Sequence, residues 1–411
     1  MKILFLSQRV PYPPNRGDKI TTWRLVERLR RSHDVKVVAF AHDAKDFEAA
    51  EKLCEMGIET TPVRHDERRK KLASLPLFLT RKPLTLGVYG SKELQEKVDE
   101  LASWADMAYA YSSSMGAFLE PHTHIPRVMH LGELDSDKWR QYAQTKPFPM
   151  SWVYAREYRT LLEFERRIGL AFTENVLCTP LEQKIFQEQI PGASSTVLRN
   201  GVDLEAFEPA PEKAEKGHLV FTGVMNYFPN VDGCVWFVKE ILPRIRERHP
   251  EAHFTIVGAH PTDEVRALEA TPGVRVTGFV DSVTEWAQRA AVAVAPLRIA
   301  RGIQNKVLEA MACGLPVVGT TSATQGVEGQ HGRDYLVADD ATAFVDRVCC
   351  LLGNDERARE LGAAARRFVE ENYDWERVFA HLDEIVAKCA AVADQSEGNQ
   401  ENEPREDRVH L

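Results

Sequence analysis

The sequence predicts an α/β protein of two similar halves, each built on a parallel sheet. Three observations carry that prediction. An apolar run at 2–7 is followed by a loop, an amphipathic helix and a second apolar run at 35–40, and such a unit pairs its strands in parallel. The same alternation restarts at His218 after a stretch rich in proline and charge, 207–217. A chain of 411 residues is too long for one ordinary core and suggests roughly two to three domains.

The elements follow in order. Residues 2–7 form a buried strand, and the loop 11–18 ends in Arg16, Gly17 and Asp18. A helix over 19–31 turns Ile20, Trp23, Leu25, Val26 and Leu29 inward. The first loop is not G-x-G-x-x-G, which argues against a dinucleotide cofactor. Strands are expected at 58–63, 107–111 and 127–129, with a helix at 91–102 and a long one at 150–169. A strand at 171–177 precedes Thr179 and Pro180, an N-cap and a first-turn proline. The first half closes with a strand at 196–198. In the second half, strands are expected at 218–222, 253–257, 274–276, 291–294, 316–319 and 335–337, with helices between them, Asn230 capping the first at 231–247. Helices at 341–352 and 355–371 follow, and another begins near Asp374 and Trp375. The domains are therefore 1–205, 206–372, a C-terminal helix 373–394 with the first half as a candidate docking place, and a polar tail 395–411 expected to be disordered.

Composition excludes several classes. Hydrophobic content of 44% and charged content of 27% are those of a globular protein. A net charge of −9 argues against nucleic-acid binding. Seven scattered cysteines without a C-x-x-C pair suit a reduced cytoplasmic compartment. No window approaches the ~20 apolar residues of a membrane span. One region departs from this acidic background: 61–90 holds seven positive and two negative side chains, a local +5. Within it, 68–82 alternates basic and apolar residues. Two readings stand, a dock for anionic lipid and a solvated basic helix with one core face.

The stretch 302–318 reads as turn, helix, glycine stop and strand. Gly302, Gln304 and Asn305 lead into Lys306, and Glu309 follows on the same helical face. A helix N-terminus with a lysine suits a diphosphate, and a carboxylate one turn on suits sugar hydroxyls. The loop with Gly223, Asn226 and Asn230 is a second candidate phosphate cradle, and Arg298 and Arg301 stand near the first. Asp135-x-Asp137 could bind a divalent metal, but suits acceptor-side lining better. His130 and Glu133, after a strand, could assist an acceptor hydroxyl.

With 306–318 (Lys306 to Val318), the segment Asn200-Gly201-Val202-Asp203 and the turn 32–35, the chain resembles the family 4 glycosyltransferases. The resemblance implies the GT-B fold, two Rossmann-like domains facing across a cleft. It implies transfer of a hexose from a nucleoside diphosphate sugar to a hydroxyl of a saccharide or lipid-linked acceptor, with retention and without metal or cofactor. Glu309 would hold the ribose. Lys306 would stabilise the leaving diphosphate with amides near Gly302 and Gly223. Arg16, Gly17 and Asp135 would serve the acceptor. Two departures stand out: Arg301 occupies the position of a second family glutamate, and 223–230 lacks the family's Arg and Lys. The 302–306 and 135–139 variants look most like a branch of bacterial exopolysaccharide assembly, which implies a cytoplasmic protein, peripheral on the inner face of the plasma membrane. Two alternatives remain open, an epimerase of the same fold and a non-catalytic sugar-nucleotide-binding protein.

Overall fold

The computed structural model describes residues 1–300 and 302–401, with side chains as far as residue 393. It contains two compact units, Met1–Leu198 together with the chain from Phe379 onward, and Arg199–Val378.

In the first unit, the described strands are β1 Lys2–Ser7, β2 Asp34–Ala41, β3 Glu59–Arg64, β4 Met107–Tyr111, β5 Arg127–Gly132, β6 Glu174–Leu177 and β7 Ser195–Val197. Their order is β3-β2-β1-β4-β5-β6-β7 and every pairing is parallel. The centre of the sheet is β1, whose residues 3–6 are fully buried. A strand covered on both faces reads as a continuous apolar run, and that is why 2–7 was legible. The first helix, Gly17–Leu29, starts two residues earlier than the apolar periodicity suggests. Lys19 is buried there and its ammonium reaches Asp46 Oδ1 at 2.9 Å, which ties this helix to Ala44–Glu55. The expected strand start at 171 is overruled because the helix Met150–Ala171 runs on and β6 begins at Glu174. The Glu174 carboxylate is buried and accepts from Ser194 Oγ (2.8 Å), Thr196 Oγ1 (3.0 Å) and Lys388 Nζ. Lys388 lies on the helix Trp375–Glu401, which also holds Arg28 through Asp383 at 2.5 Å. That helix passes residue 395, where disorder was expected; residues 402–411 lie outside the described residues.

In the second unit, the strands are β8 His218–Thr222, β9 His253–Val257, β10 Val274–Gly278, β11 Val292–Ala295, β12 Val317–Gly319 and β13 Leu336–Val337, in the order β10-β9-β8-β11-β12-β13, again parallel. A single apolar core fills it, with Phe221, Phe237, Phe254 and Phe344 fully or almost fully buried. The stretch 207–217 is packed rather than free. Ala210 is buried, Gln288 Nε2 donates to the Glu208 carbonyl at 2.9 Å, and Thr284 Oγ1 donates to the Ala206 carbonyl at 3.0 Å. Proline and charge mark a linker only when nothing covers them, and here the helix Val283–Gln288 does.

Candidate active site

Parallel strands deliver their following loops to one edge, and that edge is where ligands bind in open α/β sheets. In the second unit the edge is formed after β8, β9, β10 and β11. The helix Asn305–Ala312 starts there behind β11, with Gln304 as its N-cap residue. Its first turn leaves backbone N–H groups without intrahelical acceptors. Asn200 Nδ2 lies 3.3 Å from Asn305 Oδ1, so the segment 200–203 stands beside this helix start. Val202 N donates to the Tyr373 carbonyl at 2.8 Å and holds that segment in place.

Lys306 and Glu309 share a face, as their spacing demands, yet they do not pair with each other. The Lys306 ammonium lies 3.4 Å from Gln304 Oε1 and 5.5 Å from the centre of the Phe221 ring. Among the described residues no cation comes within ion-pair reach of Glu309. Both side chains line a small cavity of about 20 Å³, whose walls include Phe207, Val283, Ala287 and β11. Burial lowers the Lys306 amine to about 8, with Glu309 opposing the shift. Burial raises the Glu309 carboxyl to about 7, with Lys306 opposing. Among the described residues, the site therefore holds a cation and a carboxylate with no ion-pair partner.

The loop after β8 sits against the same lysine. A Cβ on Gly223 would lie 3.3 Å from Lys306 Cε and 2.8 Å from Asn230 Nδ2. The Gly223 amide is already used, donating to the Val257 carbonyl at 3.0 Å, and so is not an open phosphate donor. Asn230 is not an N-cap either. The helix begins at Phe228, and the buried Asn230 side chain turns back to the Val224 carbonyl at 2.9 Å. Asn226 is exposed in the turn. Arg298 is committed elsewhere: it grips Asp232 with two nitrogens and covers the Trp236 ring. The expectation that Arg298 serves the helix start fails because a carboxylate one helix away is the better partner. Arg301 lies outside the described residues.

Sequence reasoning missed two glycines and three rings at this edge. A Cβ on Gly258 would stand 1.7 Å from the Gly223 carbonyl oxygen, and one on Gly326 would stand 1.9 Å from that of Gly302. Only glycine permits those approaches. Tyr227, Phe228 and Phe279 are exposed, Phe279 at 76%. A large exposed aromatic just after a strand was the signal that could have found it.

Residues 216–354 match the family model described as "Glycosyl transferases group 1". A GDP-mannose-dependent alpha-(1-6)-phosphatidylinositol monomannoside mannosyltransferase of Mycobacterium tuberculosis is 30% identical over 271 residues, 60% of this chain and 69% of that protein. The chain belongs to the group 1, family 4 glycosyltransferases. An uncharacterized 44.6 kDa protein in the cps region of Klebsiella pneumoniae is 21% identical over 93% of this chain and 98% of its own length. Among solved structures, sucrose-phosphate synthase from Thermosynechococcus elongatus matches with a TM-score of 0.73 at 16% identity, covering 95% of this chain and 100% of that one. HepE from Anabaena, in complex with UDP, matches at 0.68 and 15% identity over 94% and 100%. These likenesses establish the GT-B fold for this glycosyltransferase.

The strand-end edge of the glycosyltransferase's first unit is different in kind. Arg16 pairs with Asp18 at 2.8 Å, and Gly17 opens the first helix. Asp135 opens the helix Asp135–Thr145 and accepts from Ser113 Oγ at 2.8 Å. Asp137 turns the other way, to Arg140 Nε at 2.5 Å and Gln141 Nε2 at 3.1 Å. Successive helical side chains diverge, so the two carboxylates do not converge on a metal. Beneath Asp135 lies Glu165, raised to about 8 by burial and by the Asp135 charge. Glu133 is half-buried after β5. His130 does not line a cleft: it is 2% exposed, with Nδ1 2.7 Å from the Tyr109 hydroxyl. Burial lowers its pKa to about 3, so its imidazole is neutral. Alternation along β5 turns it into the sheet's packing. Ser112, at the end of β4, adopts φ 86°, a strained value for a residue with a Cβ.

One carboxylate–imidazole cluster among the described residues has metal-ligand proximity, Glu215, His218 and His253. It was not foreseen. It lies at the strand starts of β8 and β9, the edge opposite Lys306. Its groups are engaged: Glu215 pairs with Arg289 at 2.7 Å, and the two His218 nitrogens meet the Arg289 carbonyl and Thr255 Oγ1.

Proposed function

We propose that the protein transfers a hexosyl unit from a nucleoside diphosphate sugar to a hydroxyl of a saccharide or lipid-linked acceptor, with retention and without metal, in exopolysaccharide or cell-surface glycan synthesis. The observation that carries this reading is the Glu309 carboxylate one turn from Lys306, without an ion-pair partner among the described residues, at a helix start on the strand-end edge. Glu309 accepts hydrogen bonds from the ribose hydroxyls. Lys306 and the first-turn amides at Asn305 neutralise charge that grows on the departing diphosphate, so they act most strongly in the transition state. The bond from the anomeric carbon to the diphosphate oxygen breaks, and a bond to the acceptor oxygen forms on the same face. The acceptor proton passes to the departing diphosphate. Gln304 and Gly302 shape the turn that holds the lysine. Arg16, Gly17, Glu133 and Asp135 serve the acceptor. The basic apolar segment 68–82 lies against an anionic membrane surface on the cytoplasmic face. No helix among the described residues is long and apolar enough to cross a membrane.

The test is turnover. The protein is incubated with labelled UDP- and GDP-sugars and a lipid extract, with and without EDTA, since relatives are named for GDP-mannose and neighbours hold UDP-glucose. Labelled lipid or oligosaccharide in EDTA is the expected result. An isomerised nucleotide sugar would instead identify an epimerase, and donor binding without turnover a non-catalytic protein.

A further inference from the structure

The first unit holds a cavity of about 610 Å³ between the segment 77–87 and the helix Met150–Ala171. Volumes of several hundred Å³ are those of pockets that enclose small ligands. Leu77, Pro83, Leu86 and Phe164 make its walls apolar. Arg81 and Lys82, both exposed, add two cations from the loop side. Neither has an ion-pair partner among the described residues. On the helix side Arg167 and Glu163 also line the cavity, Arg167 being tied to Glu120 at 2.5 Å and Glu163 lying on the wall away from the loop. The unneutralised positive charge therefore belongs to the loop.

That loop is held in place by the helix. The buried Arg156 guanidinium donates to the carbonyls of Leu77 (2.6 Å), Thr80 (2.7 Å) and Lys82 (3.1 Å). The buried Glu157 carboxylate accepts from Leu84 N, Thr85 N and Thr85 Oγ1, each at 2.8 Å. A buried arginine–glutamate pair is a costly way to fix a loop; here the carboxylate is held by three donors, while Arg156 Nη1 has no hydrogen-bond partner and faces Glu157 Oε2 at 3.6 Å. With its carbonyls drawn inward, the loop leaves Leu79 93% exposed. Leu72, Leu75, Met150 and Trp152 are exposed on the neighbouring segments, and Trp152 stacks on Phe78 at 6.3 Å. An apolar cavity with unpaired cations thus adjoins an apolar surface. The segment also follows β3, at the same edge of the sheet as the loop 11–18.

We propose that this cavity binds a lipid phosphate, with the aliphatic chain against Leu77, Leu86 and Phe164 and the phosphate on Arg81 and Lys82. The inference rests on the transfer reading and deepens it by naming the acceptor class, a lipid that carries phosphate. A phosphate alone lacks the apolar contact, and a neutral lipid lacks the partner for the two cations.

Calorimetric titration of the full chain tests this with four probes below their aggregation limits: farnesyl phosphate, farnesol, inorganic phosphate and a short-chain phosphatidate. Farnesyl phosphate should bind at least ten-fold more tightly than farnesol or phosphate. Arg81→Glu with Lys82→Glu should weaken it at least ten-fold while leaving UDP affinity unchanged, because both side chains are exposed and unpaired. Leu86→Trp, which fills the cavity, should abolish binding of both lipid phosphates, with melting temperature as the control. Comparable binding of phosphatidate assigns the site to lipid phosphates in general, and selective binding of farnesyl phosphate assigns it to isoprenoid ones. Unchanged farnesyl phosphate affinity in the charge-reversed variant overturns the proposal, as does equal affinity for farnesol. Failure of the transfer reading shows separately, as no labelled lipid or oligosaccharide from any nucleotide sugar in the turnover assay.

Discussion

The two units carry the same architecture and opposite chemistry at their strand ends. In the second unit the edge carries a lysine and a carboxylate, Lys306 and Glu309, that have no ion-pair partner among the described residues. In the first unit the edge is closed by side-chain pairs, Ser113 with Asp135 and Arg16 with Asp18, and His130 is buried against Tyr109 in the packing beneath. Its unpaired charge and exposed apolar surface sit instead on the inserted segment 67–89, after β3. A parallel sheet supplies a place for a ligand but does not choose one. The choice is made by which side chains are left without partners.

The largest expected effect would break that contrast outright. Replacing Lys306 with Ala should lower transfer about 100- to 1000-fold, the usual loss for one transition-state donor. Glu309→Ala should weaken donor binding in an equilibrium titration, whereas Asp135→Asn in the first unit should leave donor affinity intact and raise the KM for acceptor. Unchanged donor affinity in Glu309→Ala would remove its assigned role.

The pH profile sharpens the same contrast. Lys306 loses its charge as pH rises through about 8, and Glu309 gains its charge as pH rises through about 7. Donor affinity should therefore peak between these values and fall on both sides. The stability sign follows separately. The native state holds the Glu309 proton more tightly than the unfolded chain, whose carboxyl titrates near 4.5. Stability contributed by this group thus falls as pH rises from 4.5 to about 7 and is flat above. Glu309→Gln should melt at a higher temperature than the parent above pH 7, and the gain should vanish toward pH 4.5.

Smaller effects are expected in the first unit. His130→Ala strands the buried Tyr109 hydroxyl and should cost about 1–3 kcal/mol of stability, measured by denaturant unfolding. A large loss of kcat at unchanged stability would return His130 to a catalytic role. Leu79→Asp should leave stability within about 0.5 kcal/mol, as for most exposed sites. It should reduce sedimentation with anionic vesicles, and equal sedimentation would argue against the membrane surface.

The strands were legible because burial on both faces writes a local signature, as at 2–7 and 292–294. The motif 302–318 was legible for the same reason: glycine, helix period and apolar strand are all short-range features. The helices Ala44–Glu55 and Asp135–Thr145 were harder to place, since one is packed through a buried Lys19–Asp46 pair and the other starts without a side-chain cap.

By itself, then, the sequence determined two parallel α/β units and brought Lys306 and Glu309 onto one helical face. Only the tertiary structure decided that Arg298 goes to Asp232, that Asn230 turns back on its own loop and that His130 is buried. It also decided that Arg156 pins a distant loop beneath Leu79. Periodicity reports which face of an element is covered, but not what covers it. Charge pairing is settled between elements far apart in the chain, and that is the information a local pattern does not hold.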